Sequence, residues 1–116
     1  MTVAGAARRL VVIVHEDATI NRRPVYDEIV KRAQRARLAG ASVFRGIAGF
    51  GRSGQLHTSR VLSLAEKLPV MIVIIDNASR IDSFLPQLAE LGVRGVVTLD
   101  DVEVVGPDQP PKAAQP

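Results

Sequence analysis

Val70-Met-Ile-Val-Ile-Ile75 is an unbroken apolar run of strand length, bounded by Pro69 and by the acid Asp76. Such a run reads as a strand buried on both faces. Leu10-Val-Val-Ile-Val14 has the same character and gives way to His15, Glu16 and Asp17. Each run is followed by a helical pattern. After the first, Asn21-Arg-Arg-Pro24 opens a helix with Asn21 as N-cap and Pro24 in the first turn. Val25, Ile29, Ala33 and Ala36 form its buried stripe, Asp27–Lys31 and Glu28–Arg32 are i,i+4 ion pairs, and Gly40 closes it. After the second run, Asn77 or Ser79 caps a helix whose stripe is Ile81, Phe84, Leu85, Leu88 and Leu91. Pro86 predicts a kink or restart inside it, and Gly92 ends it.

Ala41 to Ala48 reads as a further strand, with Val43, Arg45 and Ile47 on one face and Ser42, Phe44 and Gly46 on the other. Val93 to Val105 supplies the last strand, with a bend expected at Asp100-Asp101. Residues 61–67 stay open between a short strand and a helical turn. The two halves thus repeat one plan, giving an α+β fold: a ferredoxin-like βαββαβ sandwich with a long loop after the second strand. Two helices cover one face of four strands. The other face carries every second residue of Leu10–Val14 and Val70–Ile75, so an oligomer that buries it is expected.

The loop between the halves carries the chemistry. Arg45 to Arg60 reads RGIAGFGRSGQLHTSR and holds four of the nine glycines, at Gly46, Gly49, Gly51 and Gly54. Glycine backbone can turn N–H groups toward an anion, and Arg45, Arg52 and Arg60 with Ser53, Thr58 and Ser59 supply further donors suited to phosphate. Gly49-Phe-Gly-Arg-Ser-Gly54 is formally G-x-G-x-x-G, and Asp76 follows as the acid that a dinucleotide fingerprint would place on a ribose. Thr58 and Ser59 make a poor helix after it, and the chain is short for two mononucleotide halves. His15 and His57 with Glu16 or Asp76 form a weak metal set, because no local spacing links them. Ser53, His57 and Asp76 lack the elbow motif of a nucleophilic triad. RNA-recognition domains share the fold but stack bases on aromatics of the two central strands, and here those strands have none.

The chain has 116 residues, enough for one domain, and 47% are apolar. There is no cysteine, which excludes disulfides and thiolate chemistry. Residues 1–60 carry 11 basic and 4 acidic side chains, and residues 61–116 carry 4 basic and 8 acidic, which leaves a net +3. Six of the basic residues fall on the first helix and read as its solvated face, so nucleic acid is not the expected partner. Arg8-Arg9 before Leu10–Val14 imitates a secretion signal, but five apolar residues are too few for one. A cytoplasmic protein without membrane insertion is expected. The expected layout is a lead-in over 1–8, a domain over 9–105, and a Pro-rich tail over 106–116, disordered or extended.

Several motifs together resemble one family. Leu38-Ala-Gly-Ala-Ser-Val-Phe-Arg-Gly-Ile-Ala-Gly-Phe-Gly51, His57-Thr58, Leu68-Pro-Val70, Phe84-Leu-Pro86 and Val97-Thr-Leu-Asp-Asp-Val-Glu-Val104 are similar to the PII-like proteins of domain-of-unknown-function family 190. The resemblance spans about residues 9–105. It implies a homotrimer that binds an adenine nucleotide (AMP, ADP or ATP) as effector in clefts between subunits. It implies no catalytic role and no resident cofactor or metal. The cleft floor would be Gly46 to Gly51, Phe50 included, with His57 and Thr58 on the returning limb. Arg94 and Gly95 would come from the neighbouring subunit. Residues 49–60 would engage a protein partner, a membrane transporter being the candidate. The modifiable tyrosine of PII signalling loops is missing, since the only tyrosine is Tyr26, and so is their lysine-rich nucleotide loop. An enzyme acting on a phosphate-containing substrate and a ligand-free assembly module are the alternatives.

Overall fold

The computed structural model describes residues 3–58 and 68–106. Arg60, the open segment 61–67 and the tail beyond Gly106 lie outside the described residues. Among those described, the order is β1 (Gly5–His15), β2 (Thr19–Ile20), β3 (Arg23–Pro24), α1 (Val25–Arg35), β4 (Ser42–Arg45), β5 (Ala48–Gly49), β6 (His57–Thr58), β7 (Pro69–Asp76), α2 (Ala78–Leu91) and β8 (Val96–Val104).

Four strands form one antiparallel sheet in the order β4-β7-β1-β8, the ferredoxin-like arrangement with the two apolar runs at its centre. Residues alternate across it as a period of two demands. Leu10, Val12 and Val14 of β1 and Val70, Ile72 and Ile74 of β7 point under the helices and are buried. There they meet Val25, Ile29 and Ala33 of α1 and Ile81, Phe84, Leu88 and Leu91 of α2. Val11 and Ile13 pair across from Val73 and Met71 on the opposite face, where neither described helix lies, and remain half-buried. Val96 beside Ile13 is 54% exposed, and Phe44 beside Met71 is 52% exposed. Among the described residues, this face is apolar and open, as expected.

Several local expectations are corrected. β1 reaches back to Gly5, five residues before the apolar run. Arg8 there lies between Asp82 (2.5 Å) and Asp101 (3.2 Å), and the Asp82 hydrogen bond above all raises its pKa further above the ordinary arginine value. Asn21 is no helix cap. Asn21 (φ 51°) and Arg22 (φ 66°) make the two-residue turn of the β2–β3 hairpin, and α1 starts only at Val25. Arg37 (φ 58°) rather than Gly40 terminates α1, as Leu38 N–H donates to the Ala33 carbonyl at 3.1 Å. This leaves Ala36 exposed. Asp27–Lys31 forms as expected, at 2.9 Å. Glu28 instead meets Arg23, and Arg32 reaches Glu90 of α2 at 2.8 Å, because the facing helix offers Arg32 a carboxylate. α2 continues through Pro86 without a restart and ends at Gly92, in the left-handed conformation. No side-chain hydrogen bond caps its start at Asn77. β8 keeps an unbroken register past Asp100-Asp101.

Asp76 shows why its end of the sheet is structural. Its buried carboxylate accepts from Ala39 N–H (2.9 Å), Asn77 N–H (2.7 Å) and Arg80 Nε (2.9 Å). Arg80 also donates to the Arg37 carbonyl. One carboxylate thus ties the exit of α1 to the start of α2.

Candidate functional site

The glycine-rich segment leaves the sheet at its other end. β4 pairs with β7 as far as Arg45 opposite Val70. Gly46 N–H then donates to the Pro69 carbonyl at 2.7 Å. A Cβ on Gly46 would lie 2.6 Å from Pro69 Cγ, so only glycine permits this approach. The chain next forms a short hairpin, with Ala48 opposite Thr58 and Gly49 opposite His57. The strand expected to run unbroken from Ala41 to Ala48 is therefore split, since Gly46 turns the backbone out of the sheet to pass Pro69.

Phe50, Gly51, Arg52, Ser53 and Gly54 form the exposed tip. Gly54 (φ 73°) closes a turn by donating to the Gly51 carbonyl at 2.9 Å, and Gln55 N–H donates to Ser53 Oγ at 3.3 Å. Ile47, Phe50 and Leu56 display large apolar side chains at 78%, 74% and 58% exposure. His57 is the exception, at 3%. Its ring meets that of His15 edge-on at a centroid distance of 6.0 Å, and its Nδ1 is buried with no hydrogen-bond partner among the described residues. Beside them Arg45 Nη2 contacts Glu16 Oε1 at 2.5 Å, and Glu16 N–H donates to the Leu68 carbonyl at 2.9 Å. The hairpin root therefore rests on the end of β1 and the start of β7.

Arg94 and Gly95 lie at the same end of the sheet but at its opposite edge, where β8 begins beside Ile13. A Cβ on Gly95 would come within 2.0 Å of the Ile13 carbonyl oxygen. β4 and β8 stand three strand spacings apart, about 14 Å. Arg45 and Gly46 thus lie at one edge of the sheet and Arg94 with Gly95 at the other, while His57 rests on His15 of β1, one strand in from β8. Asp76, at the far end of β7, is about 23 Å from Pro69 along the strand. That separation removes it from the dinucleotide fingerprint, the metal set and the triad alike. Among the described residues no group of three or more His, Asp or Glu side chains is placed to hold a metal. The Glu16–Arg45 ion pair and the Gly46–Pro69 contact join segments far apart in the chain and leave no local signal in the sequence.

The sequence model of DUF190, a family described as "Uncharacterized ACR", matches residues 7–104. The chain belongs to this family. As a DUF190 protein it is 35% identical over 94 residues to a UPF0166 protein of Aquifex aeolicus, covering 81% of this chain and 89% of that relative. A UPF0166 protein of Methanocaldococcus jannaschii is 29% identical over 99 residues, 84% of this chain and 91% of the relative. Among solved structures the fold is shared with CPII from Thiomonas intermedia K12, a nitrogen regulatory PII-like protein solved with ADP, AMP and bicarbonate. That match has a TM-score of 0.63 at 17% identity and covers 85% of this chain and 88% of CPII. The apo form of CPII matches at 0.51 and 14% identity, over 85% of this chain and 91% of CPII. The DUF190 chain is thus PII-like in fold. No helix among its described residues is long and apolar enough to cross a membrane.

Proposed function

We propose that the protein is a PII-like regulator rather than an enzyme. It forms a homotrimer in the cytoplasm, holds an adenine nucleotide in each cleft between subunits, and presents the 49–60 loop to a partner protein, a membrane transporter being the candidate. One observation carries this reading: Arg45 with the hairpin root, and Arg94 with Gly95, occupy opposite edges of the sheet at the same end. A neighbouring chain that supplies its own Arg94 and Gly95 would bring the second set directly against Arg45 and the hairpin root. The open apolar face gives that neighbour a reason to bind. The nucleotides held by CPII support the effector class. Arg45, Arg52 and Arg60 meet phosphate charge, with Ser53, Thr58 and loop N–H groups as neutral donors. Effector contacts order the loop, and the partner reads the ordered state through Ile47, Phe50 and Leu56.

Isothermal titration of AMP, ADP and ATP, with and without bicarbonate, tests this on protein whose mass is measured by light scattering. Saturable binding to a trimer is expected. Absence of heat and of thermal shift with all three, in trimeric protein, removes the nucleotide reading. Product formation over hours that is lost in His57→Ala would make the protein an enzyme instead. A ligand-free assembly module is the second reading, favoured by the packing of Gly46 and Gly49 on Pro69, which explains two loop glycines without a ligand.

A further inference from the structure

We infer that Glu16 is an autoinhibitory counter-ion of the candidate site: it occupies the Arg45 guanidinium in the free protein and must release it before a phosphate can take its place. This rests on the reading that Arg45 binds the effector's phosphate. The two partners differ in freedom. Glu16 is fixed on the turn after β1 by its N–H bond to Leu68, and its side chain is only 24% exposed. The Arg45 side chain is 62% exposed, while its backbone is held by the pairing with Val70 and by the Gly46–Pro69 hydrogen bond that follows. Only the Arg45 side chain can switch partners.

The energetics suit a latch. A half-exposed ion pair of this kind is weak, about 0.2–1 kcal/mol. A phosphate dianion brings two charges and several acceptor oxygens, so it outcompetes one carboxylate. When Arg45 swings to the ligand, Glu16 is left largely buried, without its cation and close to an anion. Glu16 therefore lowers affinity, by a common factor, for every phosphate ligand that takes Arg45. It also couples occupancy to the hairpin, because Arg45 immediately precedes the turn at Gly46. A ligand that takes Arg45 removes one of the two ties between the hairpin root and the end of β1, leaving the His57–His15 contact.

The test is a double-mutant cycle with Glu16→Gln and Arg45→Ala, read by titration with ADP and with inorganic pyrophosphate. Glu16→Gln is expected to tighten binding by up to about fivefold, the upper limit that follows from releasing a pair of this strength, and to have no effect in the Arg45→Ala background. Glu16→Asp, which keeps the charge but shortens the reach, is expected to give a smaller gain and guards against misfolding of the first variant. Unchanged or weaker binding in Glu16→Gln, or an equal gain without Arg45, overturns the latch. If ADP binds neither wild type nor variant but pyrophosphate binds the variant more tightly, the nucleotide reading fails and the latch stands. If pyrophosphate binding is also unaltered, the latch falls.

Discussion

Gly46 and Pro69 are in direct contact: the glycine N–H donates to the proline carbonyl at 2.7 Å, and the missing Cβ leaves room for the proline ring. The end of β4, the start of β7 and the departure of the hairpin all depend on this contact. It also sorts the loop glycines into those the fold requires and those it does not.

Gly46→Ala is expected to destabilise the protein by about 1–3 kcal/mol, because the added methyl overlaps Pro69 Cγ and its carbonyl oxygen. Gly51 has open space around its Cβ position, so Gly51→Ala should stay within about 0.5 kcal/mol of wild type. Thermal or denaturant unfolding of the two variants side by side checks the contrast.

Gly95→Ala should be more damaging still, since its Cβ would collide with the Ile13 carbonyl oxygen, a backbone atom that cannot rotate away. Loss of the β1–β8 pairing is the expected result, read as fast hydrogen exchange at Val96 and Val97 or as failure to fold.

Asp76→Ala removes the acceptor shared by Ala39, Asn77 and Arg80. Leaving these donors without their carboxylate is expected to cost about 3–5 kcal/mol. Under the proposed function the variant loses stability rather than nucleotide contacts. Any residual folded protein should therefore bind nucleotide with wild-type affinity, which titration below its melting temperature measures.

Val73→Asp places a carboxylate at the middle of the open apolar face, more than one strand residue from the hairpin root. The oligomer should dissociate to a single-chain mass in light scattering. Nucleotide binding should then disappear although every loop residue is intact. A monomer that still binds would place the whole site within one chain.

Much of the fold was legible before the structure, and for a physical reason. Leu10–Val14 and Val70–Ile75 are apolar on both faces, a pattern that favours the two central strands of the sheet. The periodic stripes at Val25–Ala33 and Ile81–Leu91 then demanded two helices on one side. What failed was local. Asn21 resembles a cap, but Asn21-Arg22 took the left-handed turn conformation once Thr19–Ile20 paired with Arg23–Pro24. Arg32 chose Glu90 over Glu28 because α2 lies against α1, a proximity that no i,i+4 rule contains.

The residues of the loop and their chemistry are properties of the sequence: glycines, arginines and hydroxyls close together can serve an anion in any fold that exposes them. Their meaning came from tertiary structure. Strand direction carried Asp76 to the opposite end of the sheet, sheet order separated Arg94 and Gly95 from Arg45, and packing on Pro69 committed the Gly46 N–H to the Pro69 carbonyl rather than to a ligand. Contacts between residues far apart in the chain depend on how strands are ordered and how closely they approach, and those distances exist only once the chain is folded.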